Sequence, residues 1–182
     1  MALLRTLIIA SLAAGAAGAV EAADLITMPV SSGATEIPVH DEVGYDWNGF
    51  YAGVYGVGQA GPGGAGQLGL GLDVGVNAQL DFFLVGGEVA LHGLTSGASI
   101  DTAYGQLTGR AGVVISDEVL LYAAAGYGLD LGNFADDHVL LGGGVEVAVT
   151  DELSLRAQYL HGVPLSGGTS TDQITLGANF HF

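Results

Sequence analysis

Cysteine and lysine are both missing from this sequence, and arginine occurs only at positions 5, 110 and 156. Without cysteine there is neither a disulfide framework nor a thiol for lipoprotein anchoring. Without a basic surface there is little to neutralise phosphates, and 19 acidic side chains against three basic ones give a formal charge of -16. Nucleic acid is thereby excluded as a partner. Acidity of this degree often accompanies disorder, but that requires low apolar content. Here 49% of residues are apolar and the mean hydropathy is +0.49. Glycine is the abundant residue, at 32 of 182. It does not recur strictly every third position, which excludes collagen. It recurs instead at every second position inside short apolar runs.

A long apolar run is also lacking. The nearest approach, Leu7 to Ala19, would reach only about 20 Å as a helix at ~1.5 Å per residue, short of a bilayer core of roughly 30 Å. Preceded by Arg5 and followed by Val20-Glu21-Ala22, it has the layout of a secretory signal over residues 1–22, cleaved so that the mature chain begins near Ala23. Removing Arg5 and Glu21 leaves 18 acids against two bases, so the charge is unchanged. The remainder suits one domain. Residues 23–46, with Pro29, Pro38 and four acidic side chains from Glu36 to Asp46, read as a periplasmic lead-in. The alternative is that they fold back and partly enter the domain over 47–182.

Leu68, Leu70, Leu72, Val74 and Val76 alternate with Gly69, Gly71, Asp73, Gly75 and Asn77. That is the period of a strand whose faces meet different surroundings, since a helix would mix odd and even positions around its circumference. Eight such runs cover about 48–59, 67–78, 82–92, 102–114, 118–130, 138–149, 153–162 and 172–182. They are longer than the five or six residues usual in soluble domains and match the roughly 9 to 11 that a tilted strand needs to cross a bilayer. An even number permits an antiparallel sheet with no edge left in lipid, where an unpaired amide costs several kcal/mol. The expected fold is therefore all-β: an eight-stranded, antiparallel, up-and-down transmembrane barrel. Connectors alternate between tight turns near Asp81, Asp117 and Asp151, spaced by 36 and 34 residues, and longer segments at 60–66, 93–101, 131–137 and 163–171. The tight set should face the periplasm and the longer set the exterior.

The opening run, Asp46-Trp47-Asn48-Gly49-Phe50-Tyr51-Ala52-Gly53-Val54-Tyr55, resembles the W-x-G-F-Y-x-G start of the small porin-like outer-membrane proteins of alphaproteobacteria, related in shape to the OmpA transmembrane barrel. The polar-alternating last run with its aromatic Phe182 is similar too, and the resemblance covers about residues 45–182. It implies residence in Gram-negative outer-membrane lipid. It also implies recognition of the last strand by the barrel assembly machinery, which maps onto Ile174, Leu176, Phe180 and Phe182. Short outer segments and very low Arg/Lys content depart from that family, and no C-terminal peptidoglycan-binding domain is expected. Fold kinship does not supply an activity.

Parity sorts the side chains into two faces. Toward lipid should lie Phe50, Val54, Phe83, Val89, Leu121, Leu141, Leu155 and their alternating neighbours, with Trp47, Phe50, Phe83, Phe180 and Phe182 at one rim and Tyr127 and Tyr159 near the other as aromatic belts. The opposite register holds Asp73, Glu88, Arg110, Glu146 and Arg156. Charges in so narrow an interior need partners. The reading is an ionic network in the lumen that pairs Glu88 with Arg110 and Glu146 with Arg156 on adjacent strands. Tyr51, Tyr55, Tyr104, Gln106, Thr108, Gln158 and Asn179 would complete it, while glycines such as Gly53, Gly71 and Gly75 make room.

Reactive groups gather only at one rim, as His92, Asp136, Asp137, His138 and His161 with Ser96 and Ser166 nearby. No HExxH or GxSxG pattern accompanies them, so no catalytic, cofactor or metal site is expected. The run from Gly56 to Gly66 has no Lys-Ser/Thr and leads into a strand, which identifies it as a hairpin loop rather than a phosphate cradle. Three functional classes follow: a structural or surface protein with a side-chain-plugged lumen, a narrow passive channel for small solutes or cations, or a surface binder acting through its loops. The sequence names no extracellular ligand.

Overall fold

A computed structural model of the chain describes residues 44–60, 66–95, 102–132, 137–165 and 167–182. The signal over 1–22 and the lead-in before Gly44 lie outside those residues. Eight strands follow in order: β1 (Gly49–Ala60), β2 (Gly66–Leu80), β3 (Phe83–Thr95), β4 (Thr102–Ser116), β5 (Val119–Asp130), β6 (Asp137–Ala148), β7 (Leu153–Pro164) and β8 (Thr171–His181). Each pairs antiparallel with its neighbour, and β1 pairs with β8, closing an up-and-down barrel. Closure leaves no open edge. Each strand has 11 to 15 residues. At ~3.4 Å per residue and a tilt near 40°, such strands rise roughly 30 Å, the thickness of a hydrocarbon core.

The tight turns are where the spacing of aspartates puts them. Asp81 takes the left-handed conformation, with φ of 59°, which aspartate tolerates better than a branched residue would. Near the second turn the β4–β5 register shifts between Val114 and Ser116, a bulge close to the strand end.

Alternation governs both faces. Leu68, Leu70, Leu72, Val74 and Val76 are exposed outward, as are Phe50, Phe83, Phe180 and Phe182. The inward face differs from its expected polar character, because Leu84, Leu120, Leu140 and Leu160 are buried inside with Tyr122 and Ala124. A second apolar group inside joins Tyr55, Val57, Ala90 and Leu94. Where two leucines adjoin, as at Leu120-Leu121 and Leu140-Leu141, polarity does not separate the faces locally, but parity carried along the strand does, and Leu121 and Leu141 lie outward as expected.

Trp47 corrects the belt assignment. It is 0% exposed and packs with the inward leucines at the short-turn end. Tyr45 meets it edge-on at 4.5 Å between ring centres, and the Tyr45 amide donates to the Asp117 carbonyl at 3.1 Å. Asn48 Oδ1 accepts from the Gln79 amide at 2.7 Å. The segment entering β1 thus bends across the barrel end, carrying Trp47 inward rather than to lipid.

Candidate functional site in the barrel lumen

Asp73, Glu88, Arg110, Glu146 and Arg156 are all buried and lie on the inward register of β2, β3, β4, β6 and β7. Arg156 Nη2 donates to Asp73 Oδ2 at 2.7 Å, and its Nη1 donates to Glu88 Oε2. The Tyr51 hydroxyl donates to that same Glu88 oxygen at 2.7 Å. Arg110 Nη1 donates to Glu146 Oε2 at 2.9 Å, and its Nε donates to Asn77 Oδ1 at 3.0 Å. The Arg110 guanidinium lies 4.5 Å from the Tyr51 ring centre and 5.3 Å from that of Tyr122, within cation–π range. The other Glu146 oxygen accepts from Ser154 Oγ at 2.5 Å and Asn179 Nδ2 at 2.8 Å, with His181 Nε2 at 3.3 Å.

These pairings differ from the expected ones. Glu146 and Arg156 are register partners on β6 and β7, yet Arg156 reaches across the lumen to β2 and β3, and Arg110 passes over β5 to β6. Inward side chains of a narrow barrel converge on its axis, so a long guanidinium finds a carboxylate along a chord as readily as along the wall. Parity indicates the facing of a side chain but carries no information on which chord it takes.

Asn77, Tyr122, Ser154 and His181 take part without having been singled out for the network. All four sit at inward positions, and the signal that could have found them is that same parity. Tyr122 also donates to Gln158 at 2.8 Å. His181 stacks on Tyr51 and meets Trp47 edge-on at 5.8 Å. Below it, burial and the surrounding carboxylates, Glu146 foremost, hold the Tyr45 phenol above its ordinary range.

The rim histidines do not form one cluster. His92 and His138 face inward, since β3 runs on to Thr95 and carries His92 inside; His92 Nδ1 lies 3.0 Å from the Tyr55 hydroxyl and His138 Nδ1 3.3 Å from that of Tyr104. His161 points outward, with Nδ1 2.8 Å from Asp172 Oδ1, which also accepts from Tyr159 at 2.6 Å. Asp137 accepts from the Tyr127 hydroxyl at 2.8 Å. Ser96, Asp136 and Ser166 lie outside the described residues, as do residues 61–65 of the glycine-rich loop. Ile174, Leu176, Phe180 and Phe182 are exposed on the outer face of the closing strand.

A closed eight-stranded barrel with an apolar exterior and a charged interior is the architecture of small outer-membrane proteins. The family profile described as "outer membrane protein beta-barrel domain" matches residues 9–182. The chain belongs to that family. It is a small β-barrel of the outer membrane, embedded in lipid through the apolar face described above. In fold it is similar to neisserial surface protein A, at 17% identity and a TM-score of 0.50 over 73% of this chain and 97% of that one. It is also similar to Ail, the attachment invasion locus protein of Yersinia pestis, at 17% identity and a TM-score of 0.53 over 73% and 96%. A de novo designed transmembrane β-barrel aligns at 14% identity and a TM-score of 0.51 over 76% and 99%. No curated protein sequence matches the chain.

Proposed function

We propose that this barrel is a non-enzymatic structural or surface protein of the outer membrane, with a lumen stopped by its own side chains. The observation that carries this reading is the Arg156 fork, which joins β7 to Asp73 on β2 and Glu88 on β3 across the interior. Charges held in this way do not leave a continuous water path without breaking charge-assisted bonds. The test is single-channel recording in a planar bilayer. No steady current is expected from the wild-type protein, and a sustained open-channel conductance would replace this reading with the passive cation channel.

In this reading residues 1–22 direct export, 23–46 form the periplasmic lead-in, and the short turns face the periplasm. The assembly machinery reads Ile174, Leu176, Phe180 and Phe182 on the outer face of β8. Alphaproteobacterial and OmpA-like kinship draws its support from the motif between Trp47 and Tyr55. Ail has been crystallised with the heparin analogue sucrose octasulfate. The long connectors here contain Asp101, Asp136 and Asp137 and no lysine or arginine, so an anionic ligand of that kind is disfavoured for this chain.

A further inference from the structure

The run Trp47-Asn48-Gly49-Phe50-Tyr51 places its side chains in a way that a strand alone would not. Trp47 is buried on the lumen side, Phe50 is exposed outward and Tyr51 is buried inward. Gly49 makes the bend between them, with φ of 104°, a conformation that residues with a side chain rarely adopt. A Cβ at Gly49 would also come within 2.8 Å of the Phe182 carbonyl oxygen, so the bend brings the segment hard against the end of β8. There the Phe182 amide donates to the Phe50 carbonyl at 2.9 Å.

On the lumen side the same segment encloses His181 of β8. The Tyr45 and Trp47 rings meet the imidazole edge-on, at 5.3 and 5.8 Å between centres, and the Tyr51 ring stacks on it at 5.5 Å. His181 Nε2 lies 3.1 Å from Ser154 Oγ on β7 and 3.3 Å from Glu146 Oε1 on β6. Two turns anchor the segment as well. The Tyr45 amide donates to the Asp117 carbonyl between β4 and β5 at 3.1 Å. Near the end of β2, the Gln79 amide donates to Asn48 Oδ1 at 2.7 Å, and Gln79 Oε1 accepts from the Trp47 amide at 3.4 Å. Every other strand pairing joins consecutive strands through a connector, whereas β1 and β8 pair with none between them. That seam is held by its ladder and its side chains alone, and opening it would leave two unpaired edges in lipid. We propose that residues Tyr45 to Tyr51 form a latch on this seam, in which Trp47, turned inward by Gly49 and set against His181, keeps β8 paired with β1. The latch is independent of whether the lumen conducts.

The test is amide hydrogen exchange of the full chain, folded in detergent micelles and read residue by residue by NMR. Tyr45 and Trp47 precede β1 and have no partner in the β1–β8 ladder, so they reach that ladder only through the contacts above. Trp47→Ala should raise exchange at the amides bonded between β1 and β8 by about tenfold more than at those bonded between β4 and β5, as local opening after loss of an aromatic anchor requires. Tyr45→Ala, which leaves Trp47 in place, should act on the same amides in the same direction by less. Leu84→Ala is the control, since Leu84 packs in the same apolar cluster as Trp47 but sits on β3, and its loss should not single out the seam. Acceleration shared equally by all strands in Trp47→Ala would make Trp47 an ordinary packing residue and overturn the latch, as would an unchanged seam. If Trp47→Ala does not fold, Tyr45→Ala decides by the same comparison: a selective effect on the seam supports the latch, and an equal effect or none overturns it.

Discussion

Arg156 is 4% exposed and holds two carboxylates from the far side of the lumen, so its removal leaves Asp73 and Glu88 without their cation. Breaking a buried pair from one side commonly costs about 3–5 kcal/mol. Arg156→Met should therefore lower the urea midpoint of the detergent-folded barrel by an amount in that range. Arg156→Lys retains the charge but cannot fork to two carboxylates, and should fall between the two. A loss below about 1 kcal/mol for Arg156→Met, the level of exposed ion pairs, would mean that water reaches and solvates the network. At this scale the sequence already showed which residues face inward. It did not show their partners, because Glu146 sits opposite Arg156 in the sheet while the Arg156 side chain reaches elsewhere.

Neighbouring strands fit together through pairs of unequal size. Gly75 on β2 lies opposite Tyr51 on β1, and a Cβ on Gly75 would run into the phenol ring. Gly56 on β1 is outward and would bring a Cβ only to 3.9 Å from the Leu176 carbonyl oxygen. Overpacking costs typically about 1–3 kcal/mol, so Gly75→Ala should destabilise the barrel by that order while Gly56→Ala leaves the unfolding midpoint nearly unchanged. The closing strand invites a different comparison. Phe182, whose amide donates to the Phe50 carbonyl at 2.9 Å, and Leu80 at the end of β2 are 74% and 67% exposed at the same barrel end. If β8 is read during assembly, Phe182→Ser should reduce the amount inserted in outer membranes several-fold more than Leu80→Ser. Equal yields would assign both residues to lipid contact alone. His181 is unsuitable as the control, since it packs against Tyr51, Trp47 and Glu146 inside the barrel.

As a whole molecule, the barrel should fractionate with outer membranes and keep its strands in detergent, because its continuous apolar exterior far exceeds the few hundred Å² that a soluble monomer tolerates. Recovery as a monomer without detergent would contradict that. Eight runs of period two were enough to establish strand number, approximate limits, antiparallel order and facing, since a pleated strand converts parity directly into side and a bilayer demands closure. The same parity turns Leu84, Leu120, Leu140 and Leu160 inward, but the polar character expected of that face gave no sign that they pack there as an apolar cluster. It also misassigned Trp47, which precedes β1, where the period no longer applies. The ionic partners were decided by tertiary structure alone. Strand tilt and closure bring together residues more than 120 positions apart in sequence, as Tyr51 and His181 are, and a local pattern carries no term for distances across a lumen.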